Sequence, residues 1–211
     1  MLSVREIIKR VRVLVHDETG TGYSDESIIN AINSAIRFIR RTVKQYKPAM
    51  LVAEPLVGNV LAGDNKIVSS DTITKILDVR IDGQKISSID MAFIDDISLI
   101  GTPEYYYQVG SNTICLYPTP SADTQYNVIY VGDCIELSHD DNSPFPNDFD
   151  DFVIEYVVIR ISCGNEFNMS QETQLMYEIN EQIKANLCGS EYSENCVRGY
   201  YGDKSFLIGG Y

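Results

Sequence analysis

Apolar residues recur at three- and four-residue intervals through the first 48 positions, at two-residue intervals through the middle, and at helical spacing again after residue 148. Helices, then strands, then helices are the elements this order of periods predicts. Ser3 and Glu6 have the spacing of a capping box, so a helix starts at Ser3 and buries Val4, Ile7, Ile8, Val11, Leu14 and Val15. Gly20 and Gly22 are expected to stop it. Ser24 or Asp25 then caps a second helix, whose apolar stripe of Ile28, Ile29, Ile32, Ala35, Ile36, Ile39 and Val43 runs until Pro48.

Alternation in the middle of the chain predicts strands over residues 51–57, 73–82, 84–89, 105–109, 113–117 and 125–131. Asp82 and Gly83 sit between two such runs and read as a primed hairpin turn, while Gly110, Ser111 and Asn112 close the next pair. Residues 90–97 read as a short helix or helical turn. Asp148, Asp150 and Asp151 crowd the start of a third helix after Pro146, because a helix N-terminus favours negative charge, and Gly164 is expected to end it. Ser170 is expected to begin a fourth helix, with Leu175, Ile179, Ile183 and Leu187 on one face and Gly189 at its end.

The expected fold class is therefore α+β. A helical bundle forms from the N-terminal hairpin and two C-terminal helices, with an inserted antiparallel β-rich region and an extended C-terminal arm. The expected organisation is a single domain over residues 1–188, made of a helical hairpin (1–48), a β-rich insertion (49–131), an acidic loop (132–147) and closing helices (148–188). Residues 189–211 form the arm.

With 211 residues and 44% hydrophobic content, one domain with a sizeable core is possible. No apolar run approaches the roughly 18 residues that span a bilayer, and the start reads as a helix rather than a signal peptide. A soluble protein made in the cytosol is expected. Cys115, Cys134, Cys163, Cys188 and Cys196 are odd in number and never spaced C-x-x-C, which favours buried reduced thiols over a disulfide framework or zinc site.

Charge is unevenly placed. The chain has a formal net charge of -13, yet residues 1–48 hold nine Lys/Arg against five Asp/Glu. The remaining 8 basic and 25 acidic residues leave that part at -17. Such segregation suits a molecule that docks a partner on its basic face and turns its acidic face to solvent or a passing polyanion. Arg37, Arg40, Arg41 and Lys44 are the candidate docking residues; the alternative is the ordinary solvated face of a surface helix.

Catalytic chemistry finds no pattern. His16 and His139 are the only histidines, neither belongs to a nucleophile or zinc signature, and His16 is placed to meet the last carbonyls of its helix. Gly20, Thr21 and Gly22 lack the preceding strand and Lys-Ser/Thr pair of a phosphate loop. Asp140, Asp141 and Asn142 lie in a stretch, residues 132–151, with seven Asp/Glu and no Lys/Arg, but the Gly and closing Glu of a calcium loop are missing. No enzyme activity, metal or cofactor is expected. At the far end, Tyr200, Tyr201, Phe206, Leu207 and Tyr211 are interleaved with Gly199, Gly202, Gly209 and Gly210. Backbone freedom with adhesive side chains points to an arm that anchors on a neighbouring subunit or partner; folding back onto the parent domain is the alternative.

Several of these residues carry a resemblance. An Ile/Val-rich first helix leads to His16, Asp17 and Glu18, a Thr-Gly turn, Tyr23, Ser24, Asp25 and Glu26, then Ala31, Ile32, Asn33, Ser34 and Ala35 before Arg40 and Arg41. Further on come Leu116, Tyr117, Pro118, Thr119 and Pro120, the run 126–131, and Phe145 and Pro146 before the closing helices. Over residues 1–188 the chain resembles the tailed-bacteriophage head-to-tail adaptor family, of the tail tubular protein A type; residues 189–211 match no motif of it. The resemblance implies a structural virion protein at the head-tail junction, made in the host bacterial cytoplasm. It further implies a homo-oligomeric ring, a dodecamer in that family, bound to the portal protein on one side and tail or nozzle proteins on the other, with DNA passing through without tight binding. The alternative function is a nucleic-acid-binding module using the basic helical hairpin, although its turn is long for a helix-turn-helix and the chain is acidic overall.

Overall fold

The computed structural model describes residues 2–166 and 169–188. The fold is α+β, and the chain divides into two compact units: Met1–Lys47 with the chain from Ile135 on, and Pro48–Cys134.

The helical unit contains α1 (Val4–Leu14), α2 (Asp25–Tyr46), α3 (Asp150–Glu166) and α4 (Met169–Cys188). Ser3 caps α1 by accepting from the Glu6 N–H at 3.2 Å, and Val4, Ile7, Ile8 and Val11 are buried. The helix ends earlier than Gly20. His16 takes a left-handed backbone conformation, φ 56°, so that its N–H reaches the Val13 carbonyl and the Asp17 N–H reaches that of Arg12. These two bonds satisfy carbonyls that a helix end otherwise leaves open, a role usually given to glycine. Ser24 caps α2 through the Ser27 N–H, and Ile28, Ile32, Ile36 and Ile39 are fully buried on it.

In the same unit, α2 contacts both α3 and α4. Phe38 meets Tyr156 with ring centroids 5.2 Å apart, and the Thr42 hydroxyl donates to Asn180 Oδ1 at 2.7 Å. A 3-10 turn, Asn147–Phe149, precedes α3, and α3 runs through Gly164, where a stop was expected, to Glu166. One glycine costs a helix only about 1 kcal/mol relative to alanine, and tertiary context overrides a propensity of that size. On α4, which begins one residue before Ser170, Ile179, Ile183 and Leu187 are buried as the spacing predicts.

In the β unit lie β1 (Leu56–Val60), β2 (Lys66–Val68), β3 (Lys75–Ile81), β4 (Gln84–Lys85), β5 (Ser87–Ser88), β6 (Ile100–Gly101), β7 (Tyr105–Val109), β8 (Thr113–Tyr117), β9 (Thr119–Pro120) and β10 (Thr124–Val131). One sheet has the order β1-β10-β3-β4, a second β2-β8-β7-β5, and β6 pairs with β9. Val60, Val79, Ile81, Val128 and Tyr130 from the first sheet join Ile67, Ile114 and Leu116 from the second in one buried cluster. Asp82 and Gly83, with φ of 48° and 79°, form the expected primed turn between β3 and β4.

Two strand expectations differ from the structure, and short strands occur where none was expected. Residues 48–51 form a 3-10 turn and β1 begins only at Leu56. The run 84–89 is two strands in different sheets, because Ile86 turns into the shared core and its N–H bonds to the Val79 carbonyl while β5 goes on to pair with β7. Strand β2, three residues long and paired with β8, is too short to show as a period.

Candidate partner interface

The turn between α1 and α2 is built around one ion pair. Arg12 Nη1 lies 2.8 Å from Asp17 Oδ2, and Arg12 Nη2 donates to the Tyr23 carbonyl at 2.9 Å and to Asp25 Oδ1 at 2.6 Å. Asp17 is only 7% exposed and accepts the N–H groups of Gly22 and Tyr23, each at 2.9 Å. Those bonds, the Gly22 N–H first, hold its carboxyl below the usual carboxylate range despite burial, and the Arg12 charge adds to them. Gly20, φ 70°, passes so close that a Cβ there would lie 3.1 Å from Arg12 Nη1, and one at Gly22 would meet the Asp17 carboxylate at 3.3 Å. The Gly-Thr-Gly turn therefore wraps a charge pair.

On α2, Arg37, Arg40, Arg41 and Lys44 follow three- and four-residue spacing and form one stripe away from the buried isoleucines. Arg37 and Arg41 are exposed; Arg40 and Lys44 are half-buried. The stripe is not wholly available to a partner. Arg37 Nη1 lies 3.1 Å from Glu136 Oε1, in the acidic loop. Arg5 likewise donates to His139 Nδ1 at 3.0 Å and pairs with Asp140.

That loop is fixed to the helices by backbone and side chain. Asn33 is buried on α2, donates from Nδ2 to the Leu137 carbonyl at 3.0 Å and accepts the Leu137 N–H at 2.8 Å. The Val4 N–H bonds to the Asp141 carbonyl at 2.9 Å, and Asp141 Oδ2 accepts from the Ser138 N–H and hydroxyl. Asp140 and Asp141 thus serve Arg5 and Ser138. Among the described residues no group of three or more His, Cys, Asp or Glu converges as a metal site needs, and no helix is long and apolar enough to cross a membrane. Cys115, Cys134 and Cys188 are not in disulfides; Cys115 is buried, which pushes its thiol up, and the other two are half-buried.

Two features escape the periodicity argument. One is a cleft of about 350 Å³ in the helical unit, lined by Glu6, Lys9, Arg10, Val13, Leu14, Asp151 and Ile154. The other is the segment between β5 and β6, where Met91, Phe93, Ile97, Leu99 and Ile100 are exposed. Its signal in the sequence is an apolar run with no period, interrupted by Asp90, Asp95 and Asp96. Tyr200, Tyr201, Phe206, Leu207 and Tyr211 lie outside the described residues.

Residues 2–186 match the SU10 adaptor protein family, a family of phage adaptors. No curated protein matches the chain.

Proposed function

The chain belongs to the SU10 adaptor protein family, and with it to the structural components of a phage virion that meet other head or tail proteins; from that premise we propose that it forms the ring joining the portal to the tail. The carrying observation is the family match over residues 2–186, which takes in nearly all of both compact units outside the last residues. The subunits assemble as a homo-oligomer, a dodecamer as in tail tubular protein A-like adaptors, made in the host cytoplasm before joining the head-tail junction. The portal binds on one side and tail or nozzle proteins on the other. DNA passes through the ring without tight binding, because the acidic bulk of the chain repels phosphate.

Within this reading the α2 stripe of Arg37, Arg40, Arg41 and Lys44 docks an acidic partner surface, and Tyr200, Tyr201, Phe206, Leu207 and Tyr211 anchor an arm on a neighbour. A nucleic-acid module has no observation in its favour. Arg5, Arg12 and Arg37, three of the hairpin's cations, are committed to Asp140, Asp17 with Asp25, and Glu136 of the same chain. Mass photometry of the purified chain, alone and with its portal, tests the proposal. A closed multimer that joins the portal is expected; a chain that stays monomeric in both settings overturns it.

A further inference from the structure

A groove between α3 and α4 combines an apolar lining with an unmet charge. Leu14 of α1, Val158 and Ile159 of α3, and Leu175 and Ile179 of α4 line a cleft of about 250 Å³. That is below the roughly 300–1,000 Å³ of pockets that enclose a small-molecule ligand, so the cleft suits the anchoring side chains of a peptide laid across it. Its charged lining consists of Glu155 and Glu178, with no cation. Glu178 accepts from Gln174 Nε2 at 3.2 Å. Glu155 stands at the rim and is exposed. Partial burial first, and the charge of Asp151 second, push its carboxyl above the usual glutamate range, and no cation offsets them. The cations of α3 and α4 among the described residues, Arg160 and Lys184, are paired with Glu172 and Glu181. An occupant that fits this groove brings apolar side chains with a positive charge beside them.

The chain itself supplies such a segment. Residues 189–211 follow α4. Glu191 and Glu194 fall in their first part, whereas the later part holds Arg198 and Lys204 against Asp203. Each cation stands two residues before an adhesive cluster, Arg198 before Tyr200 and Tyr201, Lys204 before Phe206, Leu207 and Ile208. Extended at about 3.3 Å per residue, positions 189–197 span about 30 Å. Two helix diameters are roughly 20–24 Å, so this spacer passes from the end of one subunit's α4 to an adjoining subunit.

We propose that the occupant is this segment from a second copy of the chain: residues 198–208 of one subunit lie in the α3–α4 groove of the next, with Phe206 and Leu207 on Val158, Ile159 and Leu175 and Lys204 against Glu155. This rests on the ring reading above and names the surface that the arm grips. A contact between two different surfaces of identical chains propagates head to tail, and it closes into a ring only if the rotation allows.

The test uses the full chain. A photo-crosslinking benzoylphenylalanine replaces Phe206, isotopically light and heavy chains are mixed, and crosslinked peptides are mapped by mass spectrometry. Assembly, alone and with the portal, is followed by mass photometry for Phe206→Asp with Leu207→Asp, for Lys204→Glu, for Glu155→Lys, and for the charge swap that combines the last two. Light-heavy crosslinks to α3 or α4 are expected. Assembly should weaken roughly tenfold or more in the apolar double variant, weaken with each charge reversal and recover in the swap, with circular dichroism unchanged throughout. A ring that forms equally well in every variant, or crosslinks that land outside α3 and α4, overturns this contact and leaves the ring standing. Crosslinks to the groove found only within light or within heavy chains put the segment on its own subunit and overturn the contact in the same way. An open filament or dimer crosslinked through the groove keeps the contact and defeats the ring. A chain monomeric both alone and on the portal overturns the two together.

Discussion

Asp17 illustrates how a surface turn acquires a stability role at the scale of one side chain. Its carboxylate receives the Gly22 and Tyr23 N–H groups and the Arg12 guanidinium, so its pKa in the folded chain lies below the usual 3.8. A depressed carboxylate contributes stability above its unfolded pKa and loses it as pH falls through the folded value. Asp78, lowered first by the Arg80 hydrogen bond, and Asp96 and Asp141, lowered by the hydroxyls of Ser98 and Ser138, titrate in the same direction. Thermal melts of Asp17→Asn should therefore show a lower Tm at pH 7 and a shallower fall below pH 4, approaching the native chain at the acid end. Parallel curves at all pH values would remove Asp17 from this role.

Among the elements, the contact between α2 and the acidic loop depends on Asn33. Alanine there leaves the N–H and carbonyl of half-buried Leu137 without their partners, and an unsatisfied polar group costs about 1–3 kcal/mol when buried. Asn33→Ala should lose about 2 kcal/mol in urea unfolding; a change below half of that would mean water replaces the side chain at no penalty. The outer face of α2 is expected to behave in the opposite way. Arg41 is exposed and Arg40 half-buried; an exposed charge contributes under about 1 kcal/mol, so Arg40→Glu with Arg41→Glu should lower the melting curve only modestly while weakening portal binding and its dependence on salt. Unchanged portal affinity in the double variant would make the stripe an ordinary solvated face.

For the whole molecule, the ring reading carries two expectations. Net charge of -13 predicts poor affinity for random duplex at physiological salt; sub-micromolar retention in a salt-controlled binding assay would contradict a sliding channel. Deleting residues 190–211 should spare helicity and Tm yet abolish stable incorporation below the portal, since an arm that orders only on a neighbour adds little to the isolated subunit. Unfolding of the truncated chain would place the arm in its own core, and normal assembly would make it dispensable.

Local physics made much of the fold legible from the chain alone. Ser3 and Ser24 act as caps, Ile28, Ile32, Ile36 and Ile39 of α2 are buried, and Asp82 with Gly83 makes the primed turn, because each depends on neighbours within a few residues. The basic stripe on α2 was equally visible as spacing. What tertiary structure decided is the set of long-range choices. Glu136 captures Arg37, Asp140 captures Arg5, and Ile86 carries the chain from one sheet to the other. Arg12 becomes the centre of the turn only once Asp17 and Asp25 fold around it. Periodicity reports which face is buried; it carries no term for which distant charge or carbonyl arrives there, and such pairings exist only after the helices and strands have packed.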